Sequence, residues 1–297
     1  MSIPSAGRSL HGAAVVIRRA TPQDVPVCAN ICYDAFCEIS SAHHFPPDLP
    51  GLEAATGLLS MMFSHPGFYC VVAELDGRIV GSNCLDERSA VGGIGPITVD
   101  PGVQNRSVGR RLMEAVLERT RERGSPAVRL VQAAFHNRSL SLYAKLGFDV
   151  REPLAVMQRT TPRTQAAGSR ARPVHETDLE RCNQLCRLVH GHDRGGEVAD
   201  AIRQGTAICV ERDGRITGYA TALAFFGHAV AESNADLQAL IASVESFGGP
   251  GILLPTRNAA LFRWCLESGL RVVQPMTLMT VGLYNEPAGA YLPSISF

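Results

Sequence analysis

The sequence predicts an α/β fold in which mixed β-sheets carry helices, repeated in two tandem domains. Three observations predict it: strand-like and helix-like patterns alternate along the chain, segments of the two halves match each other, and 297 residues exceed the usual size of one domain. Residues 160–173 are rich in Thr, Gln, Gly, Ser, Arg and Pro and lack periodic apolar residues, which is typical of a linker. We therefore predict domains at residues 1–160 and 174–297, with a linker at 161–173.

The elements of the first domain follow in the order βααβββαβαββ. Most of its helices and strands are indicated by apolar periodicity and turn residues, at residues 15–18, 22–35, a helical stretch ending near 63, 68–74, 78–86, a strand ending at 99, a long helix that stops before 124, 127–133, 139–146 and a pair of strands within 148–159. The long helix has an apolar stripe formed by Leu112, Met113, Val116 and Leu117. We expect this stripe to face the core, because charged residues occupy the opposite side.

Three matched segments define the repeat. Residues 24–32 match 178–186, and each segment has two cysteines four residues apart, on one face of a helix. Residues 76–81 and 213–218 both read Asp-Gly-Arg-Ile-x-Gly, an Asp-Gly turn between strand-like runs. The segment Lys145-Leu-Gly-Phe148 corresponds to Glu267-Ser-Gly-Leu270, with glycine where a helix ends. The separation between matching segments falls along the chain, so the second copy is shorter, and it lacks the glycine-bearing loop that precedes the long helix.

Charge and hydropathy argue against several classes of function. Lys+Arg and Asp+Glu both total 28, and this balance disfavours nucleic-acid binding. No apolar run approaches the roughly 20 residues that span a bilayer, and residues 1–10 lack the apolar core of a secretory signal, so we expect a cytoplasmic protein without membrane contact. The nine cysteines form no Cys-x-x-Cys pair and His43, His44 and His65 lack the spacing of a structural metal site, so we expect reduced, buried thiols and no metal.

Two motifs of the first half carry a family resemblance. One is Asp100-Pro-Gly-Val-Gln-Asn-Arg-Ser-Val-Gly-Arg110, which leads from a strand into the long helix, and the other is Leu142-Tyr-Ala-Lys-Leu-Gly-Phe148. With the order of elements, they resemble the GNAT acyltransferases, whose loop reads Arg or Gln, two residues, Gly, one residue, then Gly or Ala. Gln104 and Gly109 keep this pattern, whereas Ser107 stands where glycine is usual.

The resemblance implies acetyl-CoA as the cofactor. A loop that enters a helix presents unpaired N–H groups and the positive end of the helix dipole, which suits a pyrophosphate. The resemblance also places the pantetheine arm along the strand that precedes the loop. The binding residues it implies are Ile97, Thr98, Val99, Gln104, Asn105, Arg106, Ser107, Val108, Gly109, Arg110, His136 and Asn137. For His136 and Asn137, capping of the following helix is an equal alternative.

The resemblance also suggests catalytic roles. Tyr143 would be the general acid, since the pKa of a phenol, near 10, roughly matches that of a thiol, and simple packing is the alternative. Glu87, with Asp86, is the nearest candidate for the base, and a solvated turn is the alternative. Some tandem GNAT aminoglycoside acetyltransferases use the carboxylate of the chain terminus, which here is that of Phe297. The second copy has Cys265 in place of the tyrosine, so we expect catalysis in the first domain alone.

The predicted function is N-acetyl transfer from acetyl-CoA to a primary amine, by direct attack of the amine. The acceptor would be a small molecule or a peptide, and the second domain would shape its pocket or brace the first domain. A catalytically silent acyl-CoA-binding sensor or scaffold is the alternative, because Ser107 departs from the family pattern and no base is evident. The sequence does not identify the amine, and it leaves a homodimer open.

Overall fold

Helices and strands alternate through two halves that share one order of elements, to which the second half adds a final strand. The structure is a computed structural model and describes residues 14–103, 106–160 and 171–296. The first half runs through β1 (Val16–Arg19), α1 (Val25–Ala42), α2 (Leu52–Ser64), β2 (Phe68–Leu75), β3 (Arg78–Asp86), β4 (Gly92–Val99), α3 (Val108–Glu122), β5 (Ala127–Ala133), α4 (Asn137–Lys145) and β6 (Asp149–Arg159). The second half runs through β7 (Ala171–Pro173), α5 (Leu179–His190), α6 (Gly195–Gln204), β8 (Ile208–Arg212), β9 (Arg215–Ala220), β10 (Ala229–Ala231), α7 (Asn234–Ala242), β11 (Ile252–Pro255), α8 (Ala259–Glu267), β12 (Leu270–Gly282) and β13 (Ala290–Leu292).

Two details differ from the expected elements. The pair of strands predicted within residues 148–159 is one strand, β6, because no turn residue interrupts its pairing with β12. Residues 171–173, predicted as the end of the linker, form β7 and pair with β8 in an antiparallel ladder. A short edge strand needs only a few backbone hydrogen bonds from its neighbour, and periodicity does not reveal those.

The two halves exchange their long C-terminal strands. The larger sheet has the order β1-β2-β3-β4-β5-β12-β6-β11, so β12 lies between β5 and β6 and β6 lies beside β11. The ladder of β12 with β5 runs from Met276 opposite Ala133 to Gly282 opposite Ala127. The domains at residues 1–160 and 174–297 remain a prediction based on the sequence repeat. The larger sheet contains strands from both of these predicted domains.

An ion-pair cluster recurs at the start of both halves. The guanidinium of Arg18 contacts both carboxylate oxygens of Asp24, at 2.8 and 2.9 Å, and also Glu74 at 2.8 Å. In the second half, Arg172 makes the same kind of contacts with Asp178 and Glu211. The hairpins that follow are also alike, because both residues of each Asp-Gly turn have positive φ, as a type I′ turn requires. These shared contacts support the repeat inferred from the sequence.

Helix α3 packs on the larger sheet through its apolar stripe. The four stripe residues are all buried in one cluster with β2, β3 and β5, and the helix ends at Glu122, before Gly124, as predicted. Its burial on this side fixes the position of the helix N-terminus at the end of β4.

Strands β4 and β5 separate along their length. Their parallel pairing, as far as the structure is described, covers only Gly92–Ile94 against Val128–Leu130. Beyond these residues the two strands diverge and leave a gap in the sheet. In the second half the strand next to β10 is β13, from the end of the chain, so the corresponding gap is filled by protein.

Two further features of the described residues bear on the expected properties. The cysteine side chains are free thiols, buried except for the half-buried Cys37, and burial raises the pKa of Cys28 and Cys32 to about 12. Among the described helices none is long and apolar enough to cross a membrane.

The ion pair of Arg18 with Asp24 predicts a pH-dependent contribution to stability. Hydrogen bonding to Arg18 lowers the pKa of Asp24 to about 2, below its ordinary value of 3.8, although burial opposes this shift. The contribution is therefore present above about pH 4 and lost as the pH falls through about 2. We expect Asp24→Asn to lower the free energy of unfolding at neutral pH by about 1–2 kcal/mol, measured by urea denaturation.

The loss caused by Asp24→Asn should shrink as the pH is lowered towards 2. Asp149→Asn is the control, because that carboxylate is exposed and pairs with Arg151 at the surface. An equal loss of stability in both variants would contradict a specific role for the Arg18–Asp24 pair.

Candidate active site

A cavity of about 450 Å³ occupies the gap between β4 and β5. The strands line it with Gly95 to Val99 on one side and Leu130 to Ala133 on the other. Residues at the beginnings of α3 and α4 also line the cavity. So do residues of α1, of α2 and of the second half of the chain. The gap is therefore a passage through the sheet, with a helix N-terminus at its border.

The N-terminus of α3 faces this cavity. Ser107, Val108, Gly109 and Arg110 all line it. The first hydrogen bond of the helix runs from the amide of Arg111 to the carbonyl of Ser107, at 3.0 Å. As in any α-helix, the first-turn amides that precede Arg111 have no acceptor within the helix, and they and the helix dipole create a favourable position for an anion.

Ser107 adopts a left-handed backbone conformation. Its φ is 61° and its ψ is 12°, and its side chain makes no capping hydrogen bond to α3. Glycine is usual at this position in the GNAT loop pattern, and the structure gives the reason, because a Cβ is disfavoured at positive φ. At Gly109, by contrast, a Cβ would lie 3.5 Å from Leu142 Cδ2, an ordinary contact, so a small side chain fits there.

Tyr143 lies on α4 with its side chain buried beside the cavity. It is 6% exposed and lines the cavity together with Leu142 and Ser139. Burial raises the pKa of Tyr143 to about 12, and a hydrogen bond with Ser139 opposes this shift. The phenol is therefore protonated at neutral pH and can donate a proton.

His136 and Asn137, which the sequence left as alternatives, differ in position. His136 lines the cavity, whereas Asn137 is exposed and does not. Burial lowers the pKa of His136, and the positive charges of Arg138 and His43 lower it further. At neutral pH this imidazole is uncharged and can offer one donor and one acceptor to a ligand. Its side chain does not cap α4.

The remaining predicted cofactor residues divide into three groups. Ile97, Thr98 and Val99 line the cavity. Arg106 is exposed and does not line it. Gln104 and Asn105 lie outside the described residues, as does Phe297, although Ile295 and Ser296 line the cavity just before it.

Glu87 is not placed to act as a base in this cavity, which corrects the expectation from the sequence. Its carboxylate accepts a hydrogen bond from Arg119 Nε at 2.8 Å, and it does not line the cavity. Asp86 is buried and forms an ion pair with Arg88. Glu87, just after β3, is held at the C-terminal part of α3, whereas Asp86 lies with Arg88, which also contacts Asp200 on α6. Local sequence could not indicate either position.

The structure adds a carboxylate that sequence reasoning missed. Asp48, in the loop between α1 and α2, lines the cavity and accepts a 2.5 Å hydrogen bond from Gln274 Nε2 on β12. An aspartate within Pro46-Pro-Asp-Leu-Pro50 was the available signal, but its partner is 226 residues away in the chain. Residues of the second half also line the cavity and were not predicted: Phe225, Phe226, Met276, Ile295 and Ser296.

The corresponding helix N-terminus in the second half is already satisfied. Ser233 caps α7 by accepting a hydrogen bond from the amide of Asp236, and the Asp236 carboxylate accepts hydrogen bonds from Ser233, Thr217 and Arg212. Cys265, at the position matching Tyr143, is fully buried. At the start of α7, the Asp236 carboxylate therefore occupies the place where an anionic ligand would need positive charge.

Comparison with known proteins agrees with this architecture. Residues 33–148 match the model of the acetyltransferase (GNAT) family. A presumed acetyltransferase from Pyrococcus horikoshii is similar in structure, with a TM-score of 0.71 and 20% identity, over 95% of this chain and 96% of that one. A tandem GNAT protein from the clavulanic acid biosynthesis pathway is also similar, with a TM-score of 0.52 and 14% identity, over 91% of this chain and 98% of that one. No curated protein matches the sequence.

These findings define the class of protein. The chain has a mixed α/β fold, and its residues 33–148 form a GNAT-type acetyltransferase domain. The likeness to the two solved structures extends the fold, though not the activity, over the second half, in the arrangement of a tandem GNAT protein. The resemblance found in the sequence, its fold class and its enzyme class are thereby confirmed.

The backbone of Ser107 predicts a gain in stability on substitution by glycine. Relief of the left-handed conformation should raise the free energy of unfolding of Ser107→Gly by about 0.5–1 kcal/mol, measured by urea denaturation. Ser107→Ala is the matched control, because it removes the hydroxyl and keeps the Cβ. An equal gain in the alanine variant would mean that the hydroxyl, rather than the backbone, is the source of strain.

Proposed function

We propose that this protein transfers an acetyl group from acetyl-CoA to a primary amine. The observation that carries the proposal is a single cavity bordered by the N-terminus of α3, which the Ser107 side chain does not cap, the diverging strands β4 and β5, and the buried phenol of Tyr143. Proteins of the GNAT family bind acetyl-CoA and act on amines of small molecules or peptides.

The start of α3 is suited to the pyrophosphate of coenzyme A. The first amides of the helix and the side chain of Arg110 would hold it, and Gly109 leaves room for a close approach. Arg110 pairs loosely with Glu114, at 3.7 Å on the exposed helix surface, so this guanidinium is available at small cost. A strongly anionic ligand can thus be bound by a protein of zero net charge, because the required charge is local.

The gap between the strands is suited to the pantetheine arm. Beyond Ile94 the edge of β4 no longer pairs with β5, so Ile97, Thr98 and Val99 can offer backbone groups to the amides of the arm. His136 and Gln132 also line the cavity, and both side-chain polar atoms of Gln132 have no hydrogen-bond partner among the described residues. Buried polar groups of this kind are usually satisfied, which favours a polar ligand here.

Tyr143 would supply the proton needed by the departing thiolate. The bound thioester provides the acetyl group, and the chain must protonate the sulfur as the bond to it breaks. The Tyr143 phenol is protonated over the whole neutral range and borders the cavity, although its raised pKa makes it a weaker acid than an exposed phenol. In the second half, the capped N-terminus of α7 and the strand β13 support the proposal that catalysis belongs to the first half alone.

A silent acyl-CoA sensor is the second candidate. The engagement of Glu87 by Arg119 favours it, because the base expected from the sequence is removed from the cavity. A sensor would bind coenzyme A without acetylating any amine, so the rate of transfer separates the two functions.

Tyr143→Phe tests the proposed transfer. We expect the dissociation constant of coenzyme A, measured by calorimetry, to change by less than about threefold, because the hydroxyl acts on the leaving group. We expect kcat to fall about 100-fold or more, since a general acid is lost.

Tyr33→Phe is the matched control, because Tyr33 lies on α1 and does not line the cavity. An unchanged kcat in Tyr143→Phe would remove Tyr143 from the acid role. Coenzyme A binding without transfer to any amine, in the wild-type protein, would favour the sensor.

A further inference from the structure

We infer that the acceptor is a primary ammonium carried by an apolar aryl or alkyl body, and that Asp48, held by Gln274, binds its charged end. The inference rests on the proposed function and adds the chemical class of the amine. Three observations support it: the cavity reaches both faces of the sheet, Asp48 has an incomplete set of partners, and the other walls near Asp48 are largely apolar.

The cavity joins the two faces of the sheet. Leu130 and Tyr143 pack in the cluster that contains α3, whereas Met276 and Phe225 pack in a different cluster on the other face. Met276 is paired with Ala133, so their side chains share a face, and Gln274, two residues from Met276, lies on that same face. All of these residues except Gln274 line the cavity. The end opposite Tyr143 is therefore available to a second substrate.

Asp48 is a carboxylate with an incomplete set of partners. In the part of the chain that the structure describes, it accepts one hydrogen bond, from Gln274, and forms no ion pair with a lysine or arginine. Gln274 is 1% exposed, which fixes the position of Asp48, and its own Oε1 lacks a partner among the described residues. Burial raises the pKa of Asp48, which means that the anion lacks compensating charge. A bound cation would supply that charge.

The other walls at this end are largely apolar and come from both halves of the chain. The first half contributes side chains from α1, α2 and the loop between them, and the second half contributes the segment around residue 225, β12 and the tail: Phe36, Leu49, Leu58, Phe225, Phe226 and Ile295. The amide of Ile295 donates to the carbonyl of Phe225 at 2.9 Å, which holds the tail against this wall. An apolar body gains free energy by burial here, whereas a second charge buried among these apolar side chains would lose its hydration. Glu38, another carboxylate of the cavity, is exposed.

Asp48 would also accept the proton that the ammonium must lose before it can attack. The ammonium passes one proton to the Asp48 carboxylate, and the freed lone pair forms the nitrogen–carbon bond while the carbon–sulfur bond of the thioester breaks. Tyr143 protonates the sulfur, and the second proton lost by nitrogen restores the phenol. The products are an amide, a thiol and one proton held by Asp48, which then passes to solvent.

The test uses the full-length protein and two matched substitutions. The probe is phenylethylamine, and its dissociation constant is measured by calorimetry in the presence of coenzyme A, so that turnover is not required. We expect Asp48→Asn to weaken binding about 10- to 100-fold, because a hydrogen-bonded charge is lost, and Gln274→Met to weaken it less. Asp34→Asn, on the exposed side of α1, should have no effect.

Coenzyme A binding and thermal unfolding of each variant show whether the fold is intact. If Asp48→Asn binds phenylethylamine as the wild type does, the inference is wrong. It is also wrong if Glu38→Gln, at the exposed carboxylate of the same cavity, has the larger effect.

A panel of amines tests the substrate class in the wild-type protein. We expect kcat/KM for phenylethylamine and hexylamine to exceed that for spermidine and glycinamide by at least about tenfold, given the cost of burying a second polar group. Preference for spermidine or glycinamide would overturn the inference and leave the proposed transfer in place. Absence of transfer to every amine, with coenzyme A bound, would overturn the transfer, and the calorimetric result would still decide the role of Asp48.

Discussion

The ladder between β5 and β12 is the constraint on which the other features of the site depend. Because β12 pairs with the far edge of β5 along its whole length, β5 keeps its place in the sheet while its near edge separates from β4. A gap between strands normally exposes backbone groups at a cost, and here the far ladder supports the strand that borders it. The same pairing brings Gln274 and Met276, from the end of the chain, to a cavity built by its beginning.

The two copies differ at the N-terminus of the helix that follows the fourth strand. At the start of α3, the Ser107 side chain does not cap the first amides, and the Ser107 backbone is left-handed. At the start of α7, Ser233 and Asp236 satisfy those groups from within the protein. The gap beside β10 is likewise filled by β13. Satisfied polar groups and paired strand edges stabilise the second copy, and they leave it without the features that a multiply charged ligand needs.

Local sequence was a good guide where the interactions are local. The stripe on α3 was recognised from helical period, the Asp-Gly hairpins from their turn residues, and the unusual position of Ser107 from its departure from glycine. The prediction of Glu87 as the base did not hold, because its carboxylate is hydrogen-bonded to Arg119 on α3, which is 32 residues away in the chain. Asp48 was overlooked because a proline-rich loop gives no indication of the strand it will meet. A partner that is distant in sequence has no periodic signature.

By itself, the sequence determined the GNAT domain of residues 33–148 and the repeated order of elements, and it predicted the loop and tyrosine of the first copy, because each depends on residues close together in the chain. The tertiary structure alone decided that β6 and β12 change places, that the second gap is closed, and that residues of both halves line the cavity. β6 and β12 could each pair with strands of either half and form equivalent backbone hydrogen bonds. Side-chain packing across the whole molecule, rather than any local pattern, selects among them.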